Sequence, residues 1–232
     1  MPGSADYVIW FLGVLLEAAV VVCAVRRGLF KRYFFLNLYV LLELLVSLGR
    51  FRVLVHDGWT SDTYRYFYFY SDALLTIALF FTVTSLYVFV FEELKLERYV
   101  RLGAVLLLAG TSWFSYEVVN QSSHRMLTHF AFELSQNLYF VGLVLTFVLW
   151  GAILKLRETR ALLVQLVLSL GIYFSAFAAS YSLSNLSPNV FVHMVYLVPA
   201  MGCLLPLSWA YAFWRVSDGA RLAPSRLAVI PR

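Results

Sequence analysis

Residues 7–25 read YVIWFLGVLLEAAVVVCAV, nineteen residues with one charge, Glu17, closed at once by Arg26 and Arg27. A hydrocarbon layer about 30 Å thick is crossed by about 20 residues of helix rising about 1.5 Å each. Backbone amides find no water there, so a run that enters lipid has to be helical. The pattern recurs at 33–49, 66–91, 102–119, 130–154, 161–183 and 190–214, each run closed by a short polar or basic segment. The chain is therefore expected to be an all-α integral membrane protein. Its seven-transmembrane-helix bundle fills residues 1–214, and a basic, irregular cytoplasmic tail follows at 215–232.

Composition points the same way. Hydrophobic residues make up 62% of the chain and charged residues 13%, against about 25% charged in a soluble domain. The connections are too short to hold a folded soluble domain, so a cytoplasmic effector has to be another chain. The net charge of +5 does not point to nucleic acid, because the basic residues sit in membrane-flanking loops.

Those loops give the expected orientation. Arg26, Arg27, Lys31 and Arg32 follow the first run; Lys95, Arg98 and Arg101 the third; Lys155, Arg157 and Arg160 the fifth. Arg215, Arg221, Arg226 and Arg232 lie in the tail, which puts fourteen of the eighteen basic residues on one side. The other side holds Arg50, Arg52, Arg65 and Arg125. By the positive-inside rule the N-terminus is outside, the C-terminus is cytoplasmic, and the chain is a multi-pass protein of the cell membrane. The first run has Asp6 ahead of it and its positive charges behind it, the reverse of a cleaved signal peptide, so it is expected to remain as an anchor. Cys23 and Cys203 fall on runs at different depths and read as plain core cysteines. Tyr64, Tyr66, Tyr68 and Tyr70, with Trp10 and Trp59 outside and Trp150, Trp209 and Trp214 inside, read as aromatic belts at the two interfaces.

Polar residues within the runs carry the functional information, since burying them in lipid is costly. Tyr39, Glu43, Ser47 and Arg50 are spaced by four, four and three, which is one helix face; His129, Glu133, Gln136 and Asn137 form another. Tyr68, Asp72 and Thr76 mark the third run, and Gln165, Ser169, Tyr173 and Ser180 the sixth. Glu17, Glu117 and His193 stand alone on the first, fourth and seventh. Counting back from the turn near Trp59 puts Asp72 between Glu43 and Arg50, each within about 6 Å in height. An Arg50–Asp72 pair is expected, with Arg50 in hydrogen-bond reach of Asp72 or Glu43. Glu17 falls within about a turn of Glu43, near mid-membrane. Glu117 is expected opposite Glu133 on the outer side, where His129 and His193 also lie.

The stripes are expected to converge on an outward-facing polar cavity built from Glu43, Arg50, Asp72, Glu117, Glu133, Asn137 and His193, with Glu17 as a midplane carboxylate. Five carboxylates face only Arg50 and Arg52, so some carboxyls are expected to carry a proton, share one or meet a cation. The bland alternative is that these groups hydrogen-bond across helices and merely hold the bundle.

Several functions are excluded. Covalently bound retinal needs an intramembrane lysine, and Lys31, Lys95 and Lys155 all lie in loops. A three-ligand zinc site is not expected, since His193 has no second ligand at helical spacing. His129, Glu133 and His193 are the only weak metal or haem candidates, and no cofactor is named. A catalytic serine or cysteine motif is absent. The expected function is a non-enzymatic membrane module: a sensor or receptor-like unit, or an accessory subunit of a membrane complex. Its partners are the bilayer and other membrane or cytoplasmic chains, with no nucleic acid. The alternative is a small proton- or cation-coupled transporter, which lacks the paired broken helices of that class; the second alternative is a haem- or metal-binding redox protein.

Overall fold

The computed structural model describes residues 4–120, 126–186, 188–217 and 219–221, without the side chains of 4–6, 93, 126–127, 181–182, 184–186 and 188–200. Among the described residues the chain is all-helical. Its helices are α1 Ser4–Arg26, α2 Phe34–Asp57, α3 Asp62–Val90, α4 Glu97–Asn120, α5 Met126–Leu156, α6 Ala161–Leu186 and α7 Pro188–Arg215. Five of them (α1, α3, α4, α5 and α6) are long and apolar enough to cross a membrane.

Local chemistry sets the ends. α2 runs to Asp57 and stops at Gly58, whose φ of 82° no β-carbon-bearing residue adopts cheaply. Ser61 then caps α3, its hydroxyl accepting from the Tyr64 amide at 3.0 Å. α2 thus continues past Gly49, where the apolar run ends, and carries Arg50 and Arg52 on the helix itself. At the other end of the molecule Arg27, just after α1, donates to the Val216 carbonyl at 2.9 Å and to the Trp214 carbonyl. A cation there satisfies the last carbonyls of α7 and opposes their dipole.

Six helices close a ring in the order α1, α2, α3, α5, α6, α7, with α7 returning to α1. α4 stands outside it, packed on α5 and more lightly on α3. The interior at the Arg27 end is mostly apolar, with Asn37, Thr82 and Ser169 as buried exceptions. Tyr33, Leu36, Val40, Val83, Leu86, Val90, Leu162, Leu166, Leu205 and Phe213 are all buried there and pack as one cluster. The outer surface is apolar: Val8, Phe11, Leu106, Trp113 and Phe147 are more than half exposed, which is the surface a bilayer covers.

One expectation of position changes. Trp209 is fully buried and donates to the Ser169 hydroxyl at 2.8 Å, so it belongs to the core and not to an interfacial belt. Just after α7, Arg221 pairs with Arg160 in an isolated antiparallel bridge, and the Ala161 amide donates to the Ala220 carbonyl at 2.9 Å. Arg226 and Arg232 lie outside the described residues.

Candidate functional site

The end of the bundle opposite Arg27 has a polar interior, built first on α2. Arg50 lies over the Tyr68 ring, its guanidinium carbon 4.3 Å from the centroid. It donates through Nε to the Ser71 hydroxyl at 2.9 Å and through Nη2 to the Tyr68 carbonyl at 3.2 Å. Asp72 Oδ1 stands 4.0 Å from Nη2. The two residues are at ion-pair distance, as counting along the hairpin suggests, but no hydrogen bond joins them. α3 reaches Arg50 with a hydroxyl and a backbone carbonyl, which take two of its five N–H donors. Both side chains keep 22% of their surface exposed. Arg52 is exposed and stands apart.

About 10 Å deeper, two turns along α2, Glu43 meets Glu17 of α1. The two side chains are electrostatic neighbours of each other and of Arg50. Ser47 stands beside Glu17, and Tyr39 beside Glu43. Glu17 is 5% exposed. Oε2 of each glutamate is buried and has no hydrogen-bond partner among the described residues. Gly13 lies beside the pair, with room for a β-carbon. A β-carbon on it would lie 3.7 Å from Cys203 Sγ and 4.0 Å from Glu17 Oε1. Cys203 itself turns its thiol to the Ile9 carbonyl, 3.8 Å away.

Below the carboxylates an aromatic layer closes the ring. Tyr39 of α2, Tyr139 of α5 and Tyr173 of α6 converge, all buried. Tyr139 stacks on Phe177 at 5.2 Å, Tyr173 lies 4.5 Å from the same ring, and Tyr39 meets Trp209 edge-on at 6.0 Å. Ser135 joins from α5 beside Asp72.

The other site candidates lie elsewhere. Glu133 shares its helix face with Val144, Phe147 and Gly151, all exposed on the outer wall of α5. His129 stands 3.7 Å from Glu133, one turn away, with 38% of its side chain exposed. Asn137 donates to Ser115 of α4 at 3.0 Å and so ties α4 to the ring from outside. Glu117 lies on the face of α4 that carries Leu106, Gly110 and Trp113, away from the ring. Glu117, Glu133 and Asn137 therefore do not enter the central cluster. The reason is one of topology: α3 packs directly on α5 and excludes α4, so α5 turns Ser135 and Tyr139 inward. The side chain of His193 lies outside the described residues.

The residues that spacing alone did not single out are Ser71, Ser135 and Tyr139. Ser135 and Tyr139 are four apart on α5, a signal obscured by the more polar stripe beside it. Among the described residues no group of three His, Cys, Asp or Glu side chains converges as a metal centre would need. The arrangement sets a partly exposed guanidinium and carboxylate above two glutamates that each have an enclosed oxygen, and above a layer of tyrosines. Comparison with protein-family models, with curated proteins and with solved structures gives no match.

Proposed function

We propose that the chain is a seven-span, non-enzymatic module of the cell membrane, N-terminus outside and C-terminus in the cytoplasm. In this reading it presents the Arg50–Asp72 mouth to the exterior as a receptor-like sensor, or as an accessory subunit that responds within a larger membrane assembly. The one observation that supports it most is the asymmetry of the interior. Charged groups occupy the half around Arg50, whereas the half below Tyr39, Tyr139 and Tyr173 is packed mainly with buried apolar side chains, its buried polar residues (Asn37, Thr82, Thr146 and Ser169) being uncharged. A ligand entering at the mouth meets a floor, not a path.

The Glu17–Glu43 pair near mid-height favours a second reading, a proton- or cation-coupled transporter, because it supplies a group able to hand a charge onward. Flux separates the two. The purified protein in sealed liposomes is expected to pass neither protons nor alkali cations above the protein-free background under an imposed gradient. Flux that Glu43→Gln abolishes would establish the transporter instead.

A further inference from the structure

We propose that Glu17 and Glu43 hold a small alkali-metal cation at mid-height of the bundle, with the hydroxyls of Ser47 and Tyr39 supplying further oxygen ligands. Three observations converge on this. First, each glutamate leaves a buried oxygen without a hydrogen-bond partner among the described residues, and the Glu17 side chain is almost wholly enclosed. An unpaired carboxylate out of water costs several kcal/mol unless it gains a counter-charge. Second, the nearest cation provides it only in part. Arg50 gives Nε–H to Ser71 and one Nη2–H to the Tyr68 carbonyl, and stands 4.0 Å from Asp72. One guanidinium thus serves Asp72 as well as Glu17 and Glu43, and three carboxyls outnumber it.

Third, the donors are the right kind. Carboxylate and hydroxyl oxygens suit hard cations, whereas thiol and imidazole suit softer metals. Cys203 is close, but its thiol is engaged with the Ile9 carbonyl. Among the described residues the charged and titratable groups facing the pair are Tyr39 and Arg50 on α2, Tyr173 on α6 and Cys203 on α7, with Asp72 on α3 beyond Arg50 and Tyr139 on α5 beyond Tyr39; of these Arg50 carries the positive charge. A monovalent ion lowers the charge of the glutamate pair at a much smaller dehydration cost than a divalent ion. The inference rests on the proposed function only in that the ion enters past Arg50 and Asp72.

The test is thermal unfolding of the full chain in zwitterionic nanodiscs, in sodium, potassium or N-methyl-D-glucamine chloride at one ionic strength and pH. Sodium or potassium is expected to raise Tm saturably over the organic cation, by about 5–10 °C at a hundredfold excess over Kd. Glu17→Gln and Glu43→Gln are each expected to remove the response, and Glu117→Gln, on the outer wall, to retain it. Should a glutamine variant fail to fold, Ser47→Ala is expected to weaken the apparent affinity about tenfold. Equal melting in all three salts would overturn the site, as would a response that survives both glutamine variants. Stabilisation by falling pH alone, indifferent to the salt, would overturn it in favour of a shared proton. A cation response together with flux keeps the site and removes the receptor reading; no response and no flux does the reverse.

Discussion

Gly142 shows how closely α5 and α6 approach. A β-carbon there would lie 2.3 Å from Phe174 Cε1 and 2.5 Å from Cζ. The ring is 1% exposed and cannot swing into open space. Gly142→Ala therefore forces repacking beneath the tyrosine layer, at about 1–3 kcal/mol. Its Tm is expected to fall by about 2–10 °C, while Gly110→Ala, which meets nothing within 4 Å, is expected to leave Tm unchanged or raise it slightly, as helix propensity favours alanine. Equal behaviour of the two variants would show that Phe174 has room. Individual residues were legible in the sequence where counting from a turn suffices. The Arg50–Asp72 proximity and the Glu17–Glu43 neighbourhood both follow from hairpin length and helix rise. Trp209 was not legible, because an indole near a membrane boundary reads as an anchor unless its Ser169 acceptor is known.

At the scale of elements, the loops at the Arg27 end are tied to one another. Arg160 donates to both Glu158 oxygens, through Nε at 3.0 Å and Nη2 at 2.7 Å, and to the Phe89 carbonyl at 2.8 Å, with Glu92 at 3.5 Å. One guanidinium thus joins the end of α3 to the start of α6, beside the bridge to Arg221. The hydrogen bonds from Arg160 hold the Glu158 carboxyl below the usual glutamate range, against a smaller opposing effect of burial. A depressed folded-state value means the contact stabilises above the ordinary glutamate pKa of about 4.3 and is lost as pH falls through the lower folded value. Hydrogen exchange at the Ala161 amide is therefore expected to stay slow from neutral pH down to about 4 and to rise below it, after correction for intrinsic rates. Arg160→Gln is expected to show at least tenfold faster exchange already at neutral pH; wild-type rates in the variant would remove Arg160 from that role. Helix content was legible from run length and flanking charge. The extension of α2 was not, because Arg50, Arg52 and His56 resemble a loop until the Gly58 turn is seen. Nor was the exile of α4: a polar stripe gives a face, not the neighbour it meets, and Asn137 meets Ser115 of α4 instead of the central cluster.

On the scale of the whole molecule, two independent asymmetries coincide. Basic residues crowd the end where Arg27 and Arg160 lie, and the charged part of the interior, with Arg50 and Asp72 partly exposed, lies toward the opposite end. If the positive-inside rule sets the insertion, the mouth must face outward, and that link is the central claim. It is tested by labelling single cysteines in intact cells with a small membrane-impermeant thiol reagent, on a background with Cys23 and Cys203 replaced by alanine. Asp72→Cys at the mouth and Thr60→Cys in the α2–α3 turn are expected to react without permeabilisation, and Ser217→Cys after α7 only once the membrane is opened. Reaction of Ser217→Cys in intact cells, with Thr60→Cys and Asp72→Cys protected, would contradict the account.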